Sequence, residues 1–182
     1  MEKDLVIKNL DLCNLKNIIN IYYTSFSKNN RFSLLNLGYN LLRKRAQCFI
    51  LMNEKKAVAF IYIIHYENIS FILYLAVNQN KRNAQYGSFL LNWYLNTTQN
   101  KKIYLNIDYI NKKYADNDIR IKRLNFYLKN RFYLTDYFCI GTDMSHILST
   151  EKNFDINEYI KLDTKISKWF FTTKDKIIYK EN

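Results

Sequence analysis

The chain has 182 residues, 48% of them hydrophobic, and a formal net charge of +12. That length makes one ordinary domain whose core needs neither disulfide nor metal, and Cys13, Cys48 and Cys139 show no CxxC or Cys-His spacing, which speaks against a disulfide framework or a zinc site and fits a reducing cytoplasm. The mixed charges of MEKDLVIK and a longest apolar run of only Ala57 to Ile64 argue against a signal peptide and a spanning helix, so the expectation is a cytoplasmic protein with no membrane partner.

Residues Leu5 to Leu10 suit a short strand, and Asp11 is placed to cap a helix with apolar residues at Leu12, Leu15, Ile18, Ile19 and Tyr22. After the polar SKNNR comes a second helix through Phe32, Leu34, Leu35, Leu37, Leu41 and Leu42, ending at the basic RKR. Three strands follow, Cys48 to Met52, Ala57 to His65 and Ile69 to Val77, joined by the turn-like NEKK and YEN. The stretch LAVNQNKRNAQYGSFLL, Leu75 to Leu91, then passes from a strand end through a polar loop into a helix from Gly87 to about Thr98, and the alternating IYLNID is a strand by its period of two.

A further helix, capped by Asp116 or Asn117, carries Ile121, Leu124 and Leu128 along one face. Phe132 to Ile140 and Asp143 to Leu148 read as strands joined at Gly141. The tail has helical spacing at Ile156, Tyr159, Ile160 and Leu162, and the final KWFFTTKDKIIYK suits a strand pair or an irregular cover. With no repeat, linker or low-complexity block, the chain reads as a single domain, core 5–148 with a helical extension 149–182. The order β-α-α-β-β-β-α-β-α-β-β plus a C-terminal helix is α+β: a mixed, mostly antiparallel sheet of about seven strands with helices on both faces.

A helix N-terminus behind a tight loop offers backbone N–H groups and the positive end of the helix dipole to a phosphate. The loop before Gly87 has that layout, with Lys81 and Arg82 at its entrance. The overall basicity says less. Lys, Asn, Ile, Tyr and Phe abound and proline is absent, the pattern that A/T-rich codons produce, and the lysines are scattered rather than blocked. RIKRLNFYLKNR, Arg120 to Arg131, interleaves basic and aromatic residues and reads as an amphipathic helix with solvated charges in preference to a nucleic-acid face. Trp93 reads as core.

The Leu75–Ala76–Val77 triplet, followed by Arg82, Gly87 and Ser88, resembles motif A of the GCN5-related N-acetyltransferase superfamily, a strand end before (Arg/Gln)xxGx(Gly/Ala). RLNFYLKNRF, with Arg123, Phe126, Tyr127 and Phe132, is similar to that family's RxxFYxxxGF junction. The resemblance covers Leu5 to about Leu148. It implies that acetyl-CoA is the co-substrate, its pantetheine arm pairing with Leu75, Ala76 and Val77 and its pyrophosphate lying on the N–H groups of Arg82, Asn83, Ala84, Gln85, Tyr86, Gly87 and Ser88. It also implies direct attack by a primary amine of a small molecule or peptide, with Tyr127 as the general acid, and a pocket framed by Ser27 to Phe32 and by the segment near Gly141.

Two residues depart from the pattern: Gln85 stands at the first motif glycine, and Arg131 at the glycine of the xGF turn, which requires a different turn or a strained arginine. ISFILYLAV contains no acid, Phe71 falling where some members carry glutamate, so Asp108 or Glu67 is left to act as base through water, with Asp108 preferred. His65 and His146 are candidates by chemistry alone. A basic rim favours a neutral or anionic amine. Alternatives are a catalytically degenerate acyl-CoA-binding protein and an RNA-binding protein; a homodimer is compatible with either.

Overall fold

The computed structural model describes residues 5–82, 84–100, 102–110, 115, 117–140, 143–172 and 177–180, the last four by backbone alone. The chain packs as two compact units, Met1–His65 with Ile72–Thr98, and Tyr66–Phe71 with Gln99–Asn182.

The first unit begins with β1 (Leu5–Asn9) and α1 (Leu12–Ser25). Asp11 caps α1 as its position predicts, its Oδ1 accepting the Asn14 N–H at 2.9 Å. Ser33 caps α2 (Leu34–Leu42). Strands β2 (Ala46–Asn53) and β3 (Lys56–Tyr66) form an antiparallel hairpin, and β1 lies antiparallel on the other edge of β2. From Ala57 to Ile64 β3 is buried at every position, which is why it reads as a continuous apolar run: both of its faces are covered. Next to it runs β4 (Ile69–Val77), which leads to α3 (Tyr86–Thr97). The α3 helix begins one residue before the expected Gly87 and anchors through Leu90 and Leu91, both fully buried.

In the second unit, Ile69–Phe71 of β4 pair in parallel with β5 (Lys102–Asp108), completing the expected β-α-β crossover. Then come α4 (Ile119–Lys129), β6 (Tyr133–Ile140), β7 (Met144–Ser149), α5 (Ile156–Phe170) and β8 (Ile177–Lys180). Strand order here is β4-β5-β7-β6-β8, every pair but the first antiparallel. Side chains two apart on β5 share a face, and three of them grip α5. Lys102 Nζ donates to both Glu158 carboxylate oxygens at 2.6 Å, the Tyr104 hydroxyl donates to Glu158, and Asn106 Nδ2 donates to the Tyr159 hydroxyl at 2.8 Å.

Several expectations are corrected. The α4 cap is Asp118, whose Oδ1 accepts the Arg120 N–H at 2.8 Å, and not Asn117; Asp116 and Gly141 lie outside the described residues. Leu128 and Ile160 are exposed, because the buried stripes pass through Tyr127 on α4 and through Tyr159 and Leu162 on α5. The fold class is as expected, with β8 in the tail joining the seven strands of the core.

A glycine-poor chain must make left-handed turns with other residues. Glu54 and Lys55, the two-residue loop of the β2–β3 hairpin, both have positive φ (49° and 66°), the I′ arrangement that normally takes Asn-Gly. Arg131 has φ 71°. It follows the Asn130 C-cap of α4, and the Phe132 N–H returns to the Tyr127 carbonyl at 3.2 Å, the Schellman closure in which glycine is usual. The tyrosine and phenylalanine rings meet at 5.7 Å. Of the two options at this turn, the strained arginine is the one present. Lys55→Gly and Arg131→Gly are each expected to raise stability by about 0.5–1 kcal/mol, the left-handed penalty less the added chain entropy of glycine. Urea unfolding checks this; unchanged midpoints would refute it.

Candidate functional site

The loop that follows β4 is built from its own amides. Asn78 donates its N–H to the Val58 carbonyl at 2.8 Å, and its side chain accepts the Asn80 N–H at 3.0 Å, bending the chain into a short 3₁₀ turn at Gln79–Lys81. Arg82 follows, exposed; Asn83 lies outside the described residues. Gln85 takes the left-handed conformation, φ 59° and ψ 10°, as the N-cap of α3. Its side chain is exposed and makes no capping hydrogen bond. In α1, α2, α4 and α5, by contrast, an Asp or Ser side chain caps the first turn.

The first bond of the α3 ladder runs from the Phe89 N–H to the Gln85 carbonyl at 2.9 Å, so the amides of Tyr86, Gly87 and Ser88 precede it. Tyr86 turns its ring inward, 4% exposed, with its hydroxyl accepting from Asn53 Nδ2 at 2.7 Å. Gly87 is buried, while Ala84 and Ser88 are half-exposed. Gln85 gives this N-terminus no side-chain cap, its first turn holds no acidic residue, and the residue in place of the motif glycine is exposed, the kind of helix start at which a phosphate-sized anion can be accepted. The left-handed position of this loop coincides with the first motif glycine, which Gln85 replaces. No described glycine has positive φ, and the left-handed residue is Gln85, not Gly87. On β4 itself, Ala76 is buried, whereas Leu75 and Val77 are half-exposed.

In the second unit, Tyr127 lies on α4 with its ring edge-on to Phe126 at 5.0 Å and to Phe132. Burial pushes its phenol up to about 12, against the opposing pull of Arg123 one helical turn earlier. Arg123 Nη1 donates to Asp108 Oδ2 at 2.6 Å, tying α4 to the end of β5. The carboxylate put forward as a base is thus committed to an arginine, a pairing that sequence reasoning missed although it named both residues. Glu67 is exposed in the β3–β4 turn with φ 52°, and Phe71 is buried. His65 Nε2 lies 2.9 Å from Gln47 Oε1, and burial lowers its pKa; His146 is buried and stacks on Tyr109 at 4.5 Å. Trp93 is only half-buried, edge-on to Phe49 at 5.0 Å and on the wall of an open pocket with Ala84, Gln85 and Ser88, so it is not the core residue expected.

A second group unforeseen from sequence ties β4 to the segment between α1 and α2. The Tyr74 hydroxyl accepts the Phe32 N–H at 3.1 Å and donates to the Asn30 carbonyl at 3.0 Å, while the Tyr22 hydroxyl donates to the Phe32 carbonyl at 2.9 Å. Two phenols thus satisfy three backbone groups of one loop. No sequence signal singled out Tyr74 within the apolar run ISFILYLAV.

The fold is that of the GCN5-related N-acetyltransferases. A protein described as a GNAT-family acetyltransferase from Bacteroides thetaiotaomicron superimposes with a TM-score of 0.72 at 18% identity, covering 93% of this chain and 99% of that one. The PaiA N-acetyltransferase of Thermoplasma acidophilum, solved with coenzyme A, gives 0.60 at 16% identity over 80% of this chain and 98% of its own. The ribosomal-protein-S18-alanine N-acetyltransferase of Escherichia coli gives 0.60 at 15% identity over 84% and 99%. No protein-family model and no curated protein sequence matches the chain.

Proposed function

We propose that the chain is an acetyl-CoA-dependent N-acetyltransferase acting on a primary amine of a small molecule or peptide. The observation that carries the reading is the α3 N-terminus, which has a left-handed entry at Gln85 and no side-chain cap, on a fold shared with acetyltransferases solved with coenzyme A. The pyrophosphate would lie against the amides of Ala84 to Ser88, with Arg82 adding charge. The edge of β4 at Leu75–Val77 would take the pantetheine arm as an added strand.

In that reaction a neutral amine attacks the thioester carbonyl, a backbone N–H stabilises the oxyanion, and the thiolate leaves as a proton returns to it. Tyr127 is the residue proposed to supply that proton. A phenol held near 12 stays protonated through the neutral range and so remains a donor at working pH. Asp108, paired with Arg123, would act through water on the incoming amine. Among proteins of this fold, one acts on spermidine and another is an aminoglycoside 6′-N-acetyltransferase; the basic loop residues Lys28 and Arg31 support a neutral or anionic acceptor here.

The absence of an acid from ISFILYLAV and the commitment of Asp108 to Arg123 favour one second reading, an acyl-CoA-binding protein without turnover. Calorimetric titration with acetyl-CoA, followed by thiol release across an amine panel, separates the two. Micromolar binding with turnover is the expected result; binding without turnover supports the second reading, and no binding sinks both. Tyr127→Phe is expected to lower kcat by roughly 10²-fold with acetyl-CoA affinity unchanged. Unaltered turnover across pH would remove Tyr127 from the mechanism.

A further inference from the structure

The α2 helix, LLNLGYNLL, carries leucines on its exposed side as well as its buried one. Asn40 is fully buried, its amide bonded to the Asn36 carbonyl at 3.0 Å, whereas Leu35 is 87% and Leu42 84% exposed. Leu35, Tyr39 and Leu42 are spaced i, i+4, i+7, which places them within an arc of roughly 60° on one side of the helix. A second exposed leucine pair, Leu12 and Leu15, lies on α1. Between the two helices is an apolar cavity of about 200 Å³ whose wall includes Leu15, Ile19, Leu34, Gly38 and Leu41. A methyl group added at Gly38 would meet no atom within 4 Å, so this wall is not closed by packing.

The stripe ends in Arg43, Lys44 and Arg45, the first two exposed and the third set over the Tyr39 ring at 5.8 Å. Leucines and a tyrosine facing outward beside a cationic cluster are the composition of a helix that lies in the headgroup region of an anionic bilayer, the leucines entering the acyl boundary. We propose that α2 docks this protein on an anionic membrane surface through Leu35, Tyr39 and Leu42, with Arg43 and Lys44 on the lipid phosphates. The expectation of no membrane partner came from the absence of a spanning segment. A helix that lies on a surface needs an apolar side and no spanning length, and α2 carries such a side within its nine residues. A second copy of the chain is the poorer occupant, because the nine residues of α2 supply no acid to meet Arg43 and Lys44.

The test is flotation of the full chain with vesicles of phosphatidylcholine alone and of phosphatidylcholine with phosphatidylglycerol. The chain is expected to float with the anionic vesicles and stay behind with the neutral ones. Leu35→Ser with Leu42→Ser should weaken binding by at least roughly tenfold. Arg43→Gln with Lys44→Asn should weaken it by about tenfold; asparagine tolerates the left-handed backbone at Lys44, φ 55°. Circular dichroism melts are expected to show every variant folded, since these side chains face solvent. Three results would overturn the proposal. The first is no binding to anionic vesicles. The second is full binding by the leucine variant, which would leave net charge alone as the cause. The third is a dimer in sedimentation that the leucine variant abolishes, which would make a second copy the occupant.

Discussion

A chain carrying both Tyr22→Phe and Tyr74→Phe is expected to unfold roughly 6–12 °C below the parent, a loss of about 3 kcal/mol. The two hydroxyls supply one donor each, to the Phe32 and Asn30 carbonyls, and Tyr74 also accepts the Phe32 N–H. Phenylalanine keeps the ring packing, in which Tyr22 and Tyr74 meet edge-on at 5.0 Å and Phe26 lies 4.6 Å from Tyr74, but strands three backbone groups of the loop. Tyr74→Phe alone should be the larger single effect, because it strands two of them. The effects should not add, since the hydroxyls also touch at 3.2 Å. Burial holds both phenols above their usual value. A raised folded value means that stability is fully present below about pH 10, where the unfolded phenol begins to ionise, and falls above it. The double variant should therefore lose stability less steeply than the parent between pH 10 and 11. Melting points of the two chains within 1 °C of each other at neutral pH would show that the clasp is incidental. On the proposed function this loop frames the acceptor, so the clasp fixes that wall to the strand that carries the cofactor.

Contacts of this kind account for what the sequence did not reveal. Asp11, the run Ala57 to Ile64 and the period of IYLNID are local signals: a cap, a strand covered on both faces, and a strand whose period of two sorts its side chains between two faces. Each is legible within ten residues. The Schellman turn at Arg131 was legible too, as a conflict between a residue and the backbone it must adopt. The Tyr74 hydroxyl reaches Phe32 across 42 positions of sequence, and nothing in the spacing of 16 tyrosines marks the one that does so. The pairing of Asp108 with Arg123 spans 15 positions and depends on how α4 meets β5. In α2 the leucines at helical spacing marked the helix and not its sides: Leu37 is buried, whereas Leu35 and Leu42 are exposed among the described residues. At the candidate site, motif spacing located the loop. That Gln85, at the first motif glycine, adopts the left-handed conformation came from its dihedral angles.

Ser88→Glu is expected to move stability and cofactor affinity in opposite directions, and this sharpens the functional reading most. Ser88 is the third residue of α3 after its N-cap. A carboxylate there complements the positive end of the helix dipole and can reach back to the amide of Gln85, so stability should hold or rise by about 0.5 kcal/mol. The same carboxylate would stand where the proposed pyrophosphate lies. At about 5 Å and an effective dielectric near 20, one pair of like charges costs roughly 3 kcal/mol, so acetyl-CoA affinity should fall by at least about 10²-fold. A variant that merely damaged the fold would lose both quantities together, and a variant remote from the anion site would leave affinity alone. Calorimetric titration alongside a thermal melt reads the two. If Ser88→Glu binds acetyl-CoA as the parent does, the pyrophosphate is not on the α3 N-terminus, and the uncapped start of this helix has some other cause.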